Sequence, residues 1–269
     1  MHKITNRQYK RIKRHFEEKA EWHRKRAQKV SHRSGEDRRQ KFSLVEMMSS
    51  RVDQMLIVAS FVSPPLKIGL IDRFLVIAER ERIKPVIVFN KVDLADNQTQ
   101  VKEVENIYRT IGYQVMKTSA RTREGIDRIT DILNSKKSIL AGHSGVGKSS
   151  LLRLILPSGA DKPETRQVSD YSNKGQHATT AVKLYRIDSQ TTIFDMPGLK
   201  LANIYDVDKI ALQKYFREFG NYSMFCRFHD CIHINEPECA VKDAVDRGLI
   251  VSSRYGSYLK ILQNPFAAD

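Results

Sequence analysis

Cysteine, tryptophan and acidic residues are all in short supply: 3 Cys, 1 Trp, and 31 Asp and Glu against 46 Lys and Arg in 269 residues. The cysteines, Cys226, Cys231 and Cys239, are an odd number confined to 14 positions. That excludes a disulfide framework spread through the chain and favours a metal-ligand set. No apolar run approaches the about 20 residues that a membrane-crossing helix needs. The first residues are basic and carry no apolar core of a secretory leader. A cytoplasmic monomer without membrane association is the expectation. The 41% apolar content supports an ordinary core, and the length suffices for one full α/β domain plus a smaller module.

The shortage of acid is uneven. Net charge is +15, and residues 1–41 hold 15 Lys and Arg against 5 Asp and Glu. Such an excess suits a polyanionic partner, nucleic acid ahead of a membrane surface. Residues 1–44 read as a basic helical arm in which Arg11, Arg14, Lys19, Arg26 and Lys29 surround Phe16 and Trp22. These can pair with phosphates and stack on exposed bases.

Beyond the arm, buried-strand runs alternate with helical spacing. Met55–Val62 is a nearly continuous apolar run, and Val86–Phe89, Tyr113–Met116 and Ile139–Ala141 read as further strands. Between them Leu70, Phe74, Ile77 and Ala78 recur at helical intervals, as do Val101, Val104, Tyr108 and Ile111. Ile126–Leu133 is a further helix, and Gly112 is placed to cap the second. This alternation predicts a parallel sheet covered by helices on both faces. Ser158–Thr180 is polar and reads as a long functional loop, Val182–Ile187 and Thr191–Phe194 as a hairpin, and the chain after Asp208 as mainly helical.

The chemistry centres on Gly142-His143-Ser144-Gly145-Val146-Gly147-Lys148-Ser149-Ser150, between the Ile139–Ala141 strand and a helix-forming run, Leu151–Leu156. That is the context of a phosphate-binding loop. Glycines let successive N–H groups converge on one anion, and the helix N-terminus adds partial positive charge. Lys148 is expected to reach the β- and γ-phosphates, and Ser149 to bind Mg²⁺. Asn90-Lys91-x-Asp93 ends the second strand, where the Asp93 carboxylate can accept from the guanine N1–H and exocyclic amine. Adenine offers no such pair of donors. Ser119-Ala120 closes the third strand and can present a backbone N–H to the guanine oxygen. Asp195-x-Pro-Gly supplies the carboxylate on the Mg²⁺ side and a hinge that senses the γ-phosphate. The base motifs precede the phosphate loop, so the usual order is rotated: the GTPase is circularly permuted. Downstream, Cys226-x4-Cys231-x-His233-x5-Cys239 offers three thiolates and an imidazole, the set of one structural Zn²⁺. His229 is the rival fourth ligand.

Together these motifs resemble the ribosome small subunit-dependent GTPase A family. Val52-Asp-Gln54, Leu70-Ile-Asp-Arg73, Glu236-Pro-Glu-Cys-Ala-Val and Arg254-Tyr-Gly-Ser-Tyr258 fit it too, and the match covers roughly residues 51–262. The resemblance implies binding of GTP and GDP, Mg²⁺-dependent hydrolysis, and contact with the small ribosomal subunit and its rRNA. It further implies late subunit maturation, with release of the factor on hydrolysis. It divides the chain into a 1–44 arm, a 45–207 GTPase domain and a 208–269 zinc-binding helical domain. The arm stands where the family usually has an OB-fold. Gly175-Gln-His177-Ala-Thr179-Thr180 corresponds to the family's switch, making Thr179 the Mg²⁺-binding threonine. Leu199 replaces the water-orienting glutamine of Ras-like GTPases, so Lys148 and His177 are the catalytic candidates, or the ribosome supplies the group. A GTP-gated RNA-binding or translation-regulating protein with incidental hydrolysis is the alternative.

Overall fold

The structure, a computed structural model, describes residues 52–157, 164–171, 177–195 and 207–264. The basic arm and residues 196–206, which include Leu199, lie outside the described residues. The described residues all fall within one compact unit.

The strands are β1 (Gln54–Ser60), β2 (Lys84–Asn90), β3 (Gln114–Lys117), β4 (Lys137–Gly142), β5 (Glu164–Tyr171), β6 (His177–Arg186) and β7 (Thr192–Asp195). Helices α1 (Ile68–Arg80), α2 (Gln98–Thr110), α3 (Ile126–Leu133) and α4 (Lys148–Ile155) connect the first four strands and follow the fourth. One sheet results, in the order β3-β2-β1-β4-β7-β6-β5. The pairs β1–β2, β1–β4, β2–β3 and β4–β7 are parallel, whereas β6–β7 and β5–β6 are antiparallel. All seven residues of β1 are buried, as expected of a strand with parallel neighbours on both edges and helices over both faces.

The chain leaves β1 toward β2 and β3, then returns to the other side of β1 as β4. Loops after β1 and β4 therefore diverge, opening a crevice at the carboxyl edge, where open α/β sheets bind ligands. Register sets what gathers there: Val58 pairs with Gly142, Ser60 with Asn90, Phe89 with Lys117, and Leu140 with Asp195. Four strand ends carrying the predicted motifs thus meet along one edge.

Two expectations need amending. The sheet is not wholly parallel, because the anticipated hairpin at β6–β7 extends to β5. Ser158–Thr180 is not a loop throughout: Glu164–Tyr171 forms β5, and β6 begins at His177 rather than Val182. Polar residues hide a segment whose Thr165, Val168 and Tyr171 have good strand propensity, and an edge strand has no buried-run signature.

Past β7 the described chain is helical: α5 (Lys209–Leu212), α6 (Gly220–Ser223), α7 (Ala240–Asp246) and α8 (Ser252–Gln263), with two 3₁₀ turns at 213–215 and 217–219. Helix α8 packs on α1. Arg254 is 1% exposed and pairs with the fully buried Asp72 of α1 at 2.5 Å and with Glu218 at 2.7 Å. Tyr108 of α2 donates its hydroxyl to the same Asp72 oxygen at 2.9 Å. Burial pushes the Asp72 carboxyl up, and the Arg254 guanidinium works against that.

Candidate functional site

Two of the loop glycines after β4 are dictated by contact. A Cβ on Gly142 would lie 2.2 Å from the Val58 carbonyl oxygen, and one on Gly147 would lie 2.3 Å from Asn90 Nδ2. Both have φ in the left-handed half of the map, at 144° and 95°. The loop so formed leads directly into α4. Lys148 folds back over it, donating to the carbonyls of Gly142 at 2.9 Å and His143 at 3.0 Å. Val146 is buried and ties the loop to the core, while Ser149 and Ser150 are exposed at the helix start. His143 Nδ1 lies 2.7 Å from the Ser144 carbonyl, so this side chain shapes its own loop.

The base-motif residues are joined to that loop. Asn90, fully buried, donates from Nδ2 to the Val146 carbonyl at 2.9 Å and accepts at Oδ1 from the Thr118 hydroxyl at 3.2 Å. Lys91 takes a left-handed conformation at φ 60° and sends Nζ to the carbonyls of Gly145 at 2.7 Å and Ser63 at 2.6 Å. Its stem therefore spans from the base end to the phosphate end. Asp93 sits in the 3₁₀ turn Val92–Leu94 with its side chain 9% exposed, facing Arg121 Nε at 3.1 Å. Ser119 donates its N–H to the Glu124 carbonyl, and its hydroxyl caps Thr122. Ala120 follows at the mouth of the crevice, half-buried.

Asp195 ends β7 opposite Leu140, beside the loop. Burial raises its carboxyl, opposed by Lys148 and Lys183. The same burial lowers Lys148, opposed by Asp195. The two groups thus form a half-buried pair of opposite charge at the phosphate end. His177 and Thr179 are not brought to this pair. In β6 they pair with Tyr171 and Ser169 of β5, while Asp195 stands opposite Lys183. Thr179 lies four residues along β6 from Lys183, about 13 Å past Asp195 at ~3.3 Å per residue.

The second site is in the C-terminal helices. Cys226, Cys231, His233 and Cys239 place their ligand atoms within 4.8 Å of one another. His233, rather than the exposed His229, completes the set. A tetrahedral centre with bonds of about 2.3 Å to sulfur and 2.0–2.1 Å to nitrogen has edges of about 3.8 Å between sulfurs and about 3.6 Å from sulfur to nitrogen. Cys226 Sγ and Cys239 Sγ are 3.9 Å apart, and His233 Nδ1 is 3.3 Å from Cys231 and Cys239 and 3.6 Å from Cys226. These residues could hold a metal ion. Burial pushes the Cys231 and Cys239 thiols up and the His233 imidazole down to about 4, so the ring is neutral. A bound cation would reverse the thiol preference.

Three supports were not foreseen. Gln213 Oε1 is 2.7 Å from His233 Nε2, which assigns the proton to Nε2 and leaves the Nδ1 lone pair toward the sulfurs. Glu236 accepts from the N–H groups of Ile232, Ile234 and Asn235, fixing the backbone on both sides of His233. Tyr255 and Tyr258 of α8 donate to the His233 and Ile232 carbonyls at 2.6 and 2.8 Å. The motifs beginning at Glu236 and at Arg254 offered the hint of this in the sequence, and nothing there marked Gln213.

A family model described as RsgA GTPase matches residues 30–205. The small ribosomal subunit biogenesis GTPase RsgA of Klebsiella pneumoniae (strain 342) is 39% identical over 222 residues, 82% of this chain and 63% of that protein. The protein of the same name from Actinobacillus succinogenes is 37% identical over the same shares. The crystal structure of YjeQ from Thermotoga maritima superposes with a TM-score of 0.66 at 38% identity, covering 81% of this chain and 73% of that one. YloQ, described as a circularly permuted GTPase, gives 0.65 at 32% identity over 80% and 68%. The chain spans 63% of the length of the curated relatives it matches.

Proposed function

The chain belongs to the RsgA GTPase family, and on that premise we propose that it hydrolyses GTP and couples hydrolysis to maturation of the small ribosomal subunit. One observation carries the nucleotide part. Asn90 Nδ2 bonds the Val146 carbonyl, so the guanine-reading strand end and the phosphate loop are a single hydrogen-bonded unit.

In this reading guanine lies over the Lys91 stem with its N1–H and amine on Asp93. Ser119 has its own N–H on Glu124, which leaves the contact to the guanine oxygen to Ala120. The residues from Gly142 to Ser150 cradle the phosphates, and Lys148 exchanges the Gly142 and His143 carbonyls for phosphate oxygens. Ser149 and Asp195 are the residues that would hold Mg²⁺, which supplies charge neutralisation between the β- and γ-phosphates. The half-buried Asp195 carboxylate, raised by burial, suits a cation partner. Thr179 joins them only if the β5–β6 hairpin moves, which is the work assigned to the switch. His177 shares that hairpin and is the water-orienting candidate. Zn²⁺ at Cys226, Cys231, His233 and Cys239 is structural: four protein donors leave no open position for substrate. The basic arm, residues 1–44, serves as an rRNA-docking element, and the protein acts in the cytoplasm.

Two measurements test this. Asp93→Asn should weaken GTP binding at least a hundredfold and gain xanthosine triphosphate, because the altered base edge restores the lost pairing. GTP turnover should rise on adding small ribosomal subunits. Unchanged GTP affinity in Asp93→Asn would remove the base assignment, and unstimulated turnover would remove the coupling to the subunit.

A further inference from the structure

Resting on the base-reading assignment of Asp93, we infer that Arg121 is an internal competitor of guanine. Guanine presents to a carboxylate the N1–H and the exocyclic amine, two of the three nitrogens on C2 that form a guanidine unit. Arginine ends in the same unit. In this structure the Arg121 Nε stands 3.1 Å from Asp93 Oδ2, so a guanidinium already occupies the place where the base edge belongs.

Three features make this arrangement a placeholder rather than a fixed ion pair. The Asp93 side chain is 9% exposed, and Oδ2 has no hydrogen bond among the described residues, so the Arg121 contact is not a well-aligned one. The Arg121 side chain is 76% exposed, so it can swing into solvent without breaking packing. Arg121 also directly follows Ala120, whose N–H faces the base oxygen in the proposed complex, so base and guanidinium cannot share the slot. The pair closes the base end of the crevice, and every guanine nucleotide must displace it.

Because the guanidinium stands largely in solvent and is poorly aligned, the attraction is weak and the competition modest. Arg121→Ala should bind GDP about threefold more tightly at low salt. Because screening removes the attraction in wild type, the advantage should shrink toward nothing at about 0.5 M salt. Arg121→Lys keeps the charge without the planar fork and should fall between the two. The control that separates competition from a general effect on the loop is the Asp93→Asn background. There the carboxylate is gone, and Arg121→Ala should leave the affinity for xanthosine diphosphate unchanged.

The experiment is a titration of fluorescent GDP and xanthosine diphosphate against full-length single and double variants at low and high salt. Equal or weaker GDP binding by Arg121→Ala at low salt would overturn the inference, as would a gain of the same size in the Asp93→Asn background. Failure of the underlying assignment looks different: Asp93→Asn would then bind GDP normally, whatever residue stands at 121.

Discussion

Arg254→Met should strongly destabilise the described C-terminal helices. Arg254 is 1% exposed, Asp72 is fully buried, and the Glu218 side chain is 9% exposed, so the ion pairs at 2.5 and 2.7 Å are shielded from water. Removing the guanidinium leaves two carboxylates without a counter-charge, and breaking a buried pair in this way costs about 3–5 kcal/mol. In a unit of this size each kcal/mol moves Tm by about 2–4 °C, giving a drop of about 6–20 °C. Asp72 also loses the cation that restrains its upward shift. Its folded-state pKa then rises further above the unfolded value, so the variant's folded state gains protons as pH falls. The gap to wild type should therefore narrow from pH 7 toward pH 5. Combining Arg254→Met with Asp72→Asn and Glu218→Gln removes the stranded charges and should recover more than half of the loss. Urea melts of the zinc-loaded protein at both pH values provide the assay. A loss below about 1 kcal/mol, or a triple variant no better than the single one, would refute the reasoning. Because α8 also holds the His233 and Ile232 carbonyls, transfer of zinc to a chelator should speed up in the single variant.

Gly147→Ala puts a methyl 2.3 Å from Asn90 Nδ2 at a φ of 95°, so GTP affinity should fall at least tenfold, and near-wild-type binding would contradict the packing. Gln213→Leu removes the acceptor for His233 Nε2–H and should cost about 10–100-fold in zinc affinity, read by competition with a chelator. Cys231→Ser should lose bound zinc and loosen the C-terminal helices, with GTP still binding but less tightly; full metal content would rule out the ligand set. His177→Ala should lose most subunit-stimulated turnover with an unchanged Kd for GTP, and a wild-type stimulated rate would move the water-orienting role elsewhere.

What could be read from sequence was local. Buried parallel strands announce themselves as apolar runs, and the phosphate loop by glycines whose positions follow from contacts with Val58 and Asn90. The metal set was legible because its ligands lie within 14 positions, although choosing His233 over His229 required seeing which one is buried. Strand β5 was hidden by polar residues on an edge. Asp72 and Arg254 are 182 residues apart, and nothing in either neighbourhood marks them as partners. Gln213 looked like any polar residue on a helix. Arg121 was invisible for a different reason: its significance is the carboxylate that chain reversal at the β3 end places beside it, 28 residues after Asp93.

The permuted order gives α1 an unusual position. Just before it begins, the Ser63 carbonyl shares the Lys91 ammonium with Gly145 of the phosphate loop. Five residues into it, Asp72 receives Arg254 from α8. The segment leading into α1 is tied to the phosphate loop through Lys91, and the first turns of α1 are tied to the helix bracing the metal ligands, so α1 connects the two sites. Most of its residues from Leu70 to Ala78 are buried, so it cannot shift at one anchor without strain at the other. The metal ligands are braced by α8, and α8 packs on α1 through Arg254 and Asp72. Loss of zinc should therefore be felt at Gly145 through α1, and loosening of Lys91 felt at Arg254, without either site touching the other.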